Sequence, residues 1–361
     1  VPHAREVDDL GRRLTQATDA LSSSNQLARS GVTARGLALA VAHGDFVRLR
    51  AGWYVAGEYW RNSVPESQHL AAIVAAQRAA NSRLTFSHRS AAVLHGLPAW
   101  SDWVCGAARA AIPDTRRVHV LGQPGGRGGA TPAIVRHRTH VHAADVEELE
   151  GLRVTRAERA VADLARTERF SLALACADAT LCARARRGQV VDEAAWQGWQ
   201  SSMRRIAETS CERRGVRAVR ALRLLADPRA DSPFESAARF RLVQLGFEVR
   251  LQVEVVVPQL GRYFIDLEIV DAQVFIECDG RAKYLDSSLN GGTPEQAFFA
   301  EKRRHHGIVA HTGKPLVRLE SHDSRTLEGL SGVLAAHGIH VPGRPAQSHD
   351  AHIVRLLQRA G

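Results

Sequence analysis

The sequence predicts an α/β protein, α+β overall, built from more than one domain. Three observations carry this. At 361 residues the chain is too long for one small core. Helical periodicities and short alternating runs follow one another through its first two thirds. Beyond residue 231, a capped helix leads into three strands, a charged helix and a further strand.

Composition narrows the function classes. No apolar run approaches the ~18 residues that a membrane span requires, and "VPHAREVDDLGRR" has no apolar core of the signal-peptide kind. The five cysteines include no CxxC pair, which supports neither a disulfide framework nor a zinc site. The expectation is a soluble, cytoplasmic protein with no membrane partner. Residues 231–361 hold 15 Lys+Arg and 16 Asp+Glu, leaving 33 and 22 for residues 1–230, so the net charge of +10 sits in the first two thirds. A basic segment favours polyanions, nucleic acid above all; solubility is the alternative. Only three lysines occur, Lys283, Lys302 and Lys314, all in the last third.

Residues 1–66 form the first expected domain. "NQLARSG" reads as a short helix and turn. Thr33 is placed to cap a second helix over Ala34 to His43, and Gly44 to end it. "DFVRLR" alternates, with Val47 and Leu49 opposite Phe46, Arg48 and Arg50, and "AG" turns into "WYVAG". Helix, turn, helix and hairpin is the order of a winged helix-turn-helix, whose second helix enters the major groove of double-stranded DNA. Arg35, Arg48 and Arg50 are the expected contacts; solvated arginines on a structural unit are the alternative.

Residues 67–226 form the expected mixed middle domain. "SQHLAAIVAAQRAA" reads as an amphipathic helix and "SHRSAAVLHGLP" as a shorter one. His88 and His95 share a helical face, but no third ligand lies near in sequence, so they read as packed or exposed side chains. "RRVHVLG" and "AIVRHRTH" are strands around "QPGGRGGAT", which lacks the GK[ST] ending of a phosphate-binding loop. Thr155 and Glu158 look like a capping box. "SLALACADATLCARA" is a buried helix. Arg213, Arg217, Arg220 and Arg223 make a basic stripe on a later one. "ADPRADSP" interrupts the helical pattern and marks the boundary of the last domain.

Residues 232–340 carry the chemistry. Ser232, Pro233 and Glu235 form a capping box, which gives Glu235 a structural role. "EVRLQVEVVV", "YFIDLEIV" and "VFIECDG" are strands. Period two sets Asp266 and Glu268 apart from Ile265 and Leu267, and Glu277 and Asp279 apart from Ile276 and Cys278. With both apolar sides against one layer, Asp266 and Glu277 share a face of neighbouring strands. Clustered carboxylates need a compensating charge. Mg²⁺, which prefers carboxylate oxygens and keeps waters, supplies it. Asp266, Glu277 and Asp279 are the expected ligands, with Lys283 to stabilise developing charge. A solvated hairpin face is the alternative. Lys302 and Arg303, on the charged helix "TPEQAFFAEKRRHHGI" with its cap at Thr293, are expected to hold DNA phosphates.

"SPFES", "IDLEI", "IECDGRAKY" and "EKRRHHGI", in this order, resemble the very-short-patch-repair-like (Vsr-like) branch of the PD-(D/E)XK nucleases. The resemblance implies a restriction-endonuclease-like mixed sheet flanked by helices, with Asp266 and Glu277 at the metal-binding positions. The motif lysine position holds Asp279, and the resemblance implies that Lys283 or Lys302 takes over that function. "GDFVRLRAGWYV", "SHRSAAVLHGLP" and "RVTRAERAVADLA" resemble, more weakly, AbiEi-type antitoxins. That implies a winged helix on promoter DNA and a cognate toxin as partner. Two functions follow as expectations: a Mg²⁺-dependent endonuclease, or a non-catalytic regulator with a degenerate nuclease fold.

Overall fold

The computed structural model describes residues 2–100, 114–122, 129–209, 214–279, 294–346 and 353. They form a mixed α/β protein that divides into two units. The first takes residues 2–100, 114–168 and 197–220; the second takes residues 169–196 and those from 221 onward. Lys283, Arg213, Thr293 and most of the glycine-rich loop lie outside the described residues. No described helix is long and apolar enough to cross a membrane.

The first unit opens with α1 (Pro2–Asp19), β1 (Leu21–Ser23), α2 (Ser24–Arg29), α3 (Ala34–His43), β2 (Phe46–Arg50), β3 (Trp53–Ala56) and α4 (Gly57–Asn62). Ser23 and Gln26 form a capping box on α2. Thr33 Oγ1 accepts the Gly36 N–H at 3.0 Å, and Gly44 closes α3 at φ 84°. The expected second helix and hairpin are present, and β1 adds a third strand in the order β1-β3-β2. The expected alternation along β2 needs correction. Arg48 pairs with Tyr54 but Arg50 with Trp53, so Leu49 is an extra, bulged residue. Leu49 is buried, Arg48 is exposed, and Arg50 is half-buried, its Nη1 without a partner among the described residues.

Next come α5 (Pro65–Ala79), β4 (Thr85–Phe86), α6 (His88–Leu94), β5 (Val118–Leu121), β6 (Gly129–Ala130), β7 (Ile134–His137), β8 (Val146–Leu149), β9 (Leu152–Thr155) and α7 (Ala157–Thr167). Their strands make one mixed sheet in the order β6-β7-β5-β4-β9-β8. Helix α5 is not amphipathic as expected. Every residue from His69 to Ala76 is buried, because α1, α6 and the strands β2, β3 and β5 all pack against it. The capping box at Thr155 does not form either. Thr155 is still in β9, paired with Val146, so α7 starts beyond it and Arg156 is the N-cap residue, with no side-chain cap. The Thr155 hydroxyl is buried with no partner among the described residues.

The second unit contains α8 (Phe170–Ala185) and the short pair β10 (Arg186–Arg187) and β11 (Val190–Val191). Helices α9 (Glu193–Thr209) and α10 (Val216–Leu225) contribute to both units. Then follow α11 (Pro233–Gln244), β12 (Val249–Val257), β13 (Gly261–Ile269), β14 (Val274–Asp279), α12 (Pro294–Thr312), β15 (Leu316–Glu320) and α13 (Leu327–Ala336). Strands β12, β13 and β14 form an antiparallel meander, and β15 joins β14 in parallel. Phe234, Ala238 and Leu242 of α11, with Leu330 and Leu334 of α13, pack on Leu267, Ile269, Ile276 and Val317. Ile308 of α12 belongs to a second core with Val255, Ile265, Phe275 and Leu316. Burying each of the larger of these side chains contributes about 1.5–3 kcal/mol.

These two cores correct the strand parity expected for β13. Ile265 and Leu267 have the same parity, yet they belong to different cores. The ladder between β12 and β13 pairs Leu251 with Leu267 and Val253 with Ile265, but it skips Gln252 and Asp266. Gln252 has φ 48°, the left-handed region, which is unusual for a non-glycine residue inside a strand. The period of two therefore does not run through Asp266.

Candidate acidic site and basic surfaces

Asp266 lies at the pair skipped between β12 and β13 and one step beyond the last β13–β14 pair. The last β13–β14 pair is Leu267 with Ile276, and continuing that register sets Asp266 across from Glu277. There the Asp266 carboxylate replaces the backbone ladder: Oδ2 accepts the Cys278 N–H at 2.8 Å. Such a gap in a sheet, filled by a carboxylate, brings charge into the core without leaving a backbone donor unpaired.

Glu235 of α11 is the residue that sequence reasoning set aside. Its capping role is real but altered. The Glu235 N–H donates to Ser232 Oγ at 3.1 Å, while its carboxylate accepts from Ser232 Oγ and the Asp231 N–H, both at 2.9 Å. Glu235 is 4% exposed. Burial pushes its carboxyl up to about 7, and the nearby Asp266 charge pushes the same way. Gln252 Nε2 reaches Glu235 Oε2 at 3.4 Å. Glu235, Gln252 and Asp266 thus converge from three elements at the one left-handed residue of β12. The available signal was the position of "SPFES" ahead of the acidic strands, which its capping chemistry masked.

Glu277 has different company. It pairs with Arg304 of α12, and its Oε2 lies 3.8 Å from Arg318 Nε of β15. Arg304 and Arg318 also both hold Glu301. Burial works against the Arg304 charge, but Glu277 and Glu301 outweigh it and raise that guanidinium above its ordinary range. Asp279 is half-buried at the strand end, in register with Glu320. Lys283 is outside the described residues. Lys302 and Arg303 are exposed on α12, as expected. Arg303 and Arg304, with Tyr263 and Phe299, line a cavity of about 600 Å³. The third lysine, Lys314, is paired with the buried Glu268.

In the first unit, Arg35 is exposed on the first turn of α3. The exposed side chains that follow, Ala38, Leu39, Ala42 and His43, leave Arg35 and His43 as that face's hydrogen-bonding groups. His88 does not pair with His95. Its ring stacks on His137 with centroids 3.4 Å apart, and His119 Nδ1 lies 3.0 Å from His137 Nε2. His95 Nε2 instead lies 2.8 Å from the Thr155 carbonyl oxygen. Burial holds His137 down at about 4, with Arg117 adding to the effect. Arg217 and Arg220 of the basic stripe are exposed and Arg223 is half-buried.

Among the described residues, no group of three or more His, Cys, Asp or Glu side chains is arranged as a ligand set. The chemistry of the second unit's donors nevertheless fits a hard cation. The Asp266 charge raises the buried Glu235 carboxyl, and a divalent ion beside the two would relieve it. Glu277 fits once it exchanges its guanidinium partner. Comparison of the chain with protein families, curated proteins and solved structures returned no match.

Proposed function

We propose that the second unit is a nuclease-like domain acting on DNA phosphodiesters, and that the first carries a winged-helix DNA-binding surface. One observation carries the leading reading: Glu235, Gln252 and Asp266 meet at an interrupted ladder, directly across the register from Glu277. A mixed sheet flanked by α11, α12 and α13, with Asp266 and Glu277 on its central strands, agrees with the Vsr-like resemblance. Asp266, Glu277 and Glu235 would hold Mg²⁺, with Asp279 beside them. When bound, the ion lowers the pKa of water and polarises the phosphodiester. Without the ion, burial and the Asp266 charge raise the Glu235 carboxyl to about 7; a bound Mg²⁺ would offset both and hold it ionised as a ligand. Lys302, Arg303 and the aromatic cavity lining offer phosphate and base contacts.

A second reading has its own observation. The network of Glu277, Glu301, Arg304 and Arg318 balances two acids with two guanidinium groups and occupies Glu277. In that reading the domain no longer cuts, and the protein is a DNA-binding regulator of the antitoxin kind with a cognate toxin. Incubation with supercoiled plasmid and Mg²⁺ or Mn²⁺ separates the two. Nicking by wild type, lost in Asp266→Ala and Glu277→Ala, supports the nuclease. Duplex binding without cutting, in wild type and in Arg304→Ala alike, supports the regulator.

A further inference from the structure

A second cavity, of about 520 Å³, lies within the second unit. It shares none of its lining with the cavity beside α12. Leu224, Val243, Val249 and Leu251 give it apolar walls, and Trp196, Arg229 and Arg239 supply polar groups. Two of those polar groups are unmet. Among the described residues, the buried Trp196 Nε1–H and Arg239 Nε–H have no hydrogen-bond acceptor. Buried donors are ordinarily paired, so two in one cavity need an explanation.

Both terminal nitrogens of Arg239 are engaged. It is 6% exposed; its Nη2 donates to Asp178 Oδ2 at 2.7 Å and its Nη1 to the Leu225 carbonyl. Asp178 also holds the Ser236 hydroxyl at 2.7 Å and the Asp227 N–H at 2.9 Å, which fixes the guanidinium plane. Arg229 pairs with Asp227 at 3.1 Å and lies 5.4 Å from the Trp196 ring centre. Both unmet groups are donors, so what they lack is an acceptor. Arg250 adds a further positive charge to the lining.

We propose that this cavity binds a small organic anion, a carboxylate or phosphate monoester with an apolar body. The anionic oxygens accept from Arg239 Nε–H and Trp196 Nε1–H, where charge-assisted bonds to a guanidinium are strongest. The apolar body rests on Leu224, Val249 and Leu251. A cavity with apolar walls and few polar anchors is the usual form of a small-ligand site. The inference does not depend on the nuclease reading, since none of the proposed metal ligands lines the cavity.

Isothermal titration of the full chain with octanoate, phenyl phosphate, inorganic phosphate and neutral octanol tests it. Saturable one-site binding is expected for octanoate or phenyl phosphate, and whichever binds identifies the anionic head group. Inorganic phosphate is expected to bind at least tenfold more weakly and octanol not at all. Trp196→Phe keeps an aromatic ring and removes one donor, so it should weaken binding about tenfold. Leu224→Glu, at a side chain 41% exposed, should abolish binding while leaving the melting temperature near wild type. Arg239→Lys should also lose binding, but it disturbs Asp178 and is read only beside the other two. Failure of both organic anions to bind, or equal binding by wild type, Trp196→Phe and Leu224→Glu, overturns the proposal.

Discussion

Glu235 shows how one side chain serves fold and site at opposing cost. Its carboxyl is raised to about 7, against 4.5 for a free side chain, by burial and then by Asp266. The folded state therefore keeps a proton that the unfolded state releases between those two values. The associated stability is complete below pH 4.5 and is lost as pH rises through 7. Glu235→Gln removes this loss, so it should stabilise the metal-free protein at pH 8 by on the order of 2 kcal/mol, read by urea unfolding. The same variant should abolish any metal-dependent nicking. His69 has the opposite sign. It is buried between the Thr115 carbonyl and Ser90 Oγ, and burial lowers it to about 4 from 6.5. Its unfolded form takes up a proton first, so stability falls as pH drops from 6.5 toward 4. Unfolding curves across that range should show a slope that is smaller in His69→Gln than in wild type. Neither role was legible in the sequence. A capping box accounts for Glu235 locally, and nothing near His69 announces that α5 is enclosed on all sides.

Elements were more legible where local chemistry decides. The Thr33 cap, the Gly44 stop and the Ser232 cap all follow from side chains satisfying backbone groups within one turn. The order of strands and helices after Ser232 follows from patterning. What failed was parity through β13, because Gln252 gives no sign that it will adopt φ 48°. The partners Arg304 and Arg318 were hidden for another reason: they come from α12 and β15, and no spacing rule connects them to Glu277. Thr155 misled because a strand claimed it before a helix could. The kink at Gln252 has a measurable energy. A left-handed non-glycine residue costs on the order of 1 kcal/mol. Gln252→Gly should leave stability within about 1 kcal/mol of wild type, whereas Gln252→Val, β-branched, should destabilise by more than that. Equal urea midpoints for the two variants would remove the strain from this account.

At the scale of the whole molecule, charge and topology act over many residues. The proposed DNA surface of the first unit predicts a steep salt dependence, from counterion release. Replacing exposed Arg35 or Arg48 by Ala should lower the slope of log affinity against log salt by about one each. Arg50, half-buried and lowered by burial and by Arg136, should change it less. In the four-stranded sheet, one join differs from the rest: β14 meets β15 in parallel, with Phe275 beside Leu316. A parallel join needs a crossover, here the connection that includes α12. Closing that long connection costs chain entropy before any strand bond is gained. The meander β12-β13-β14 is therefore expected early in folding, and β15 late. Arg304 and Arg318 arrive with those late elements, so the carboxylate of Glu277 is laid down before the cations that neutralise it.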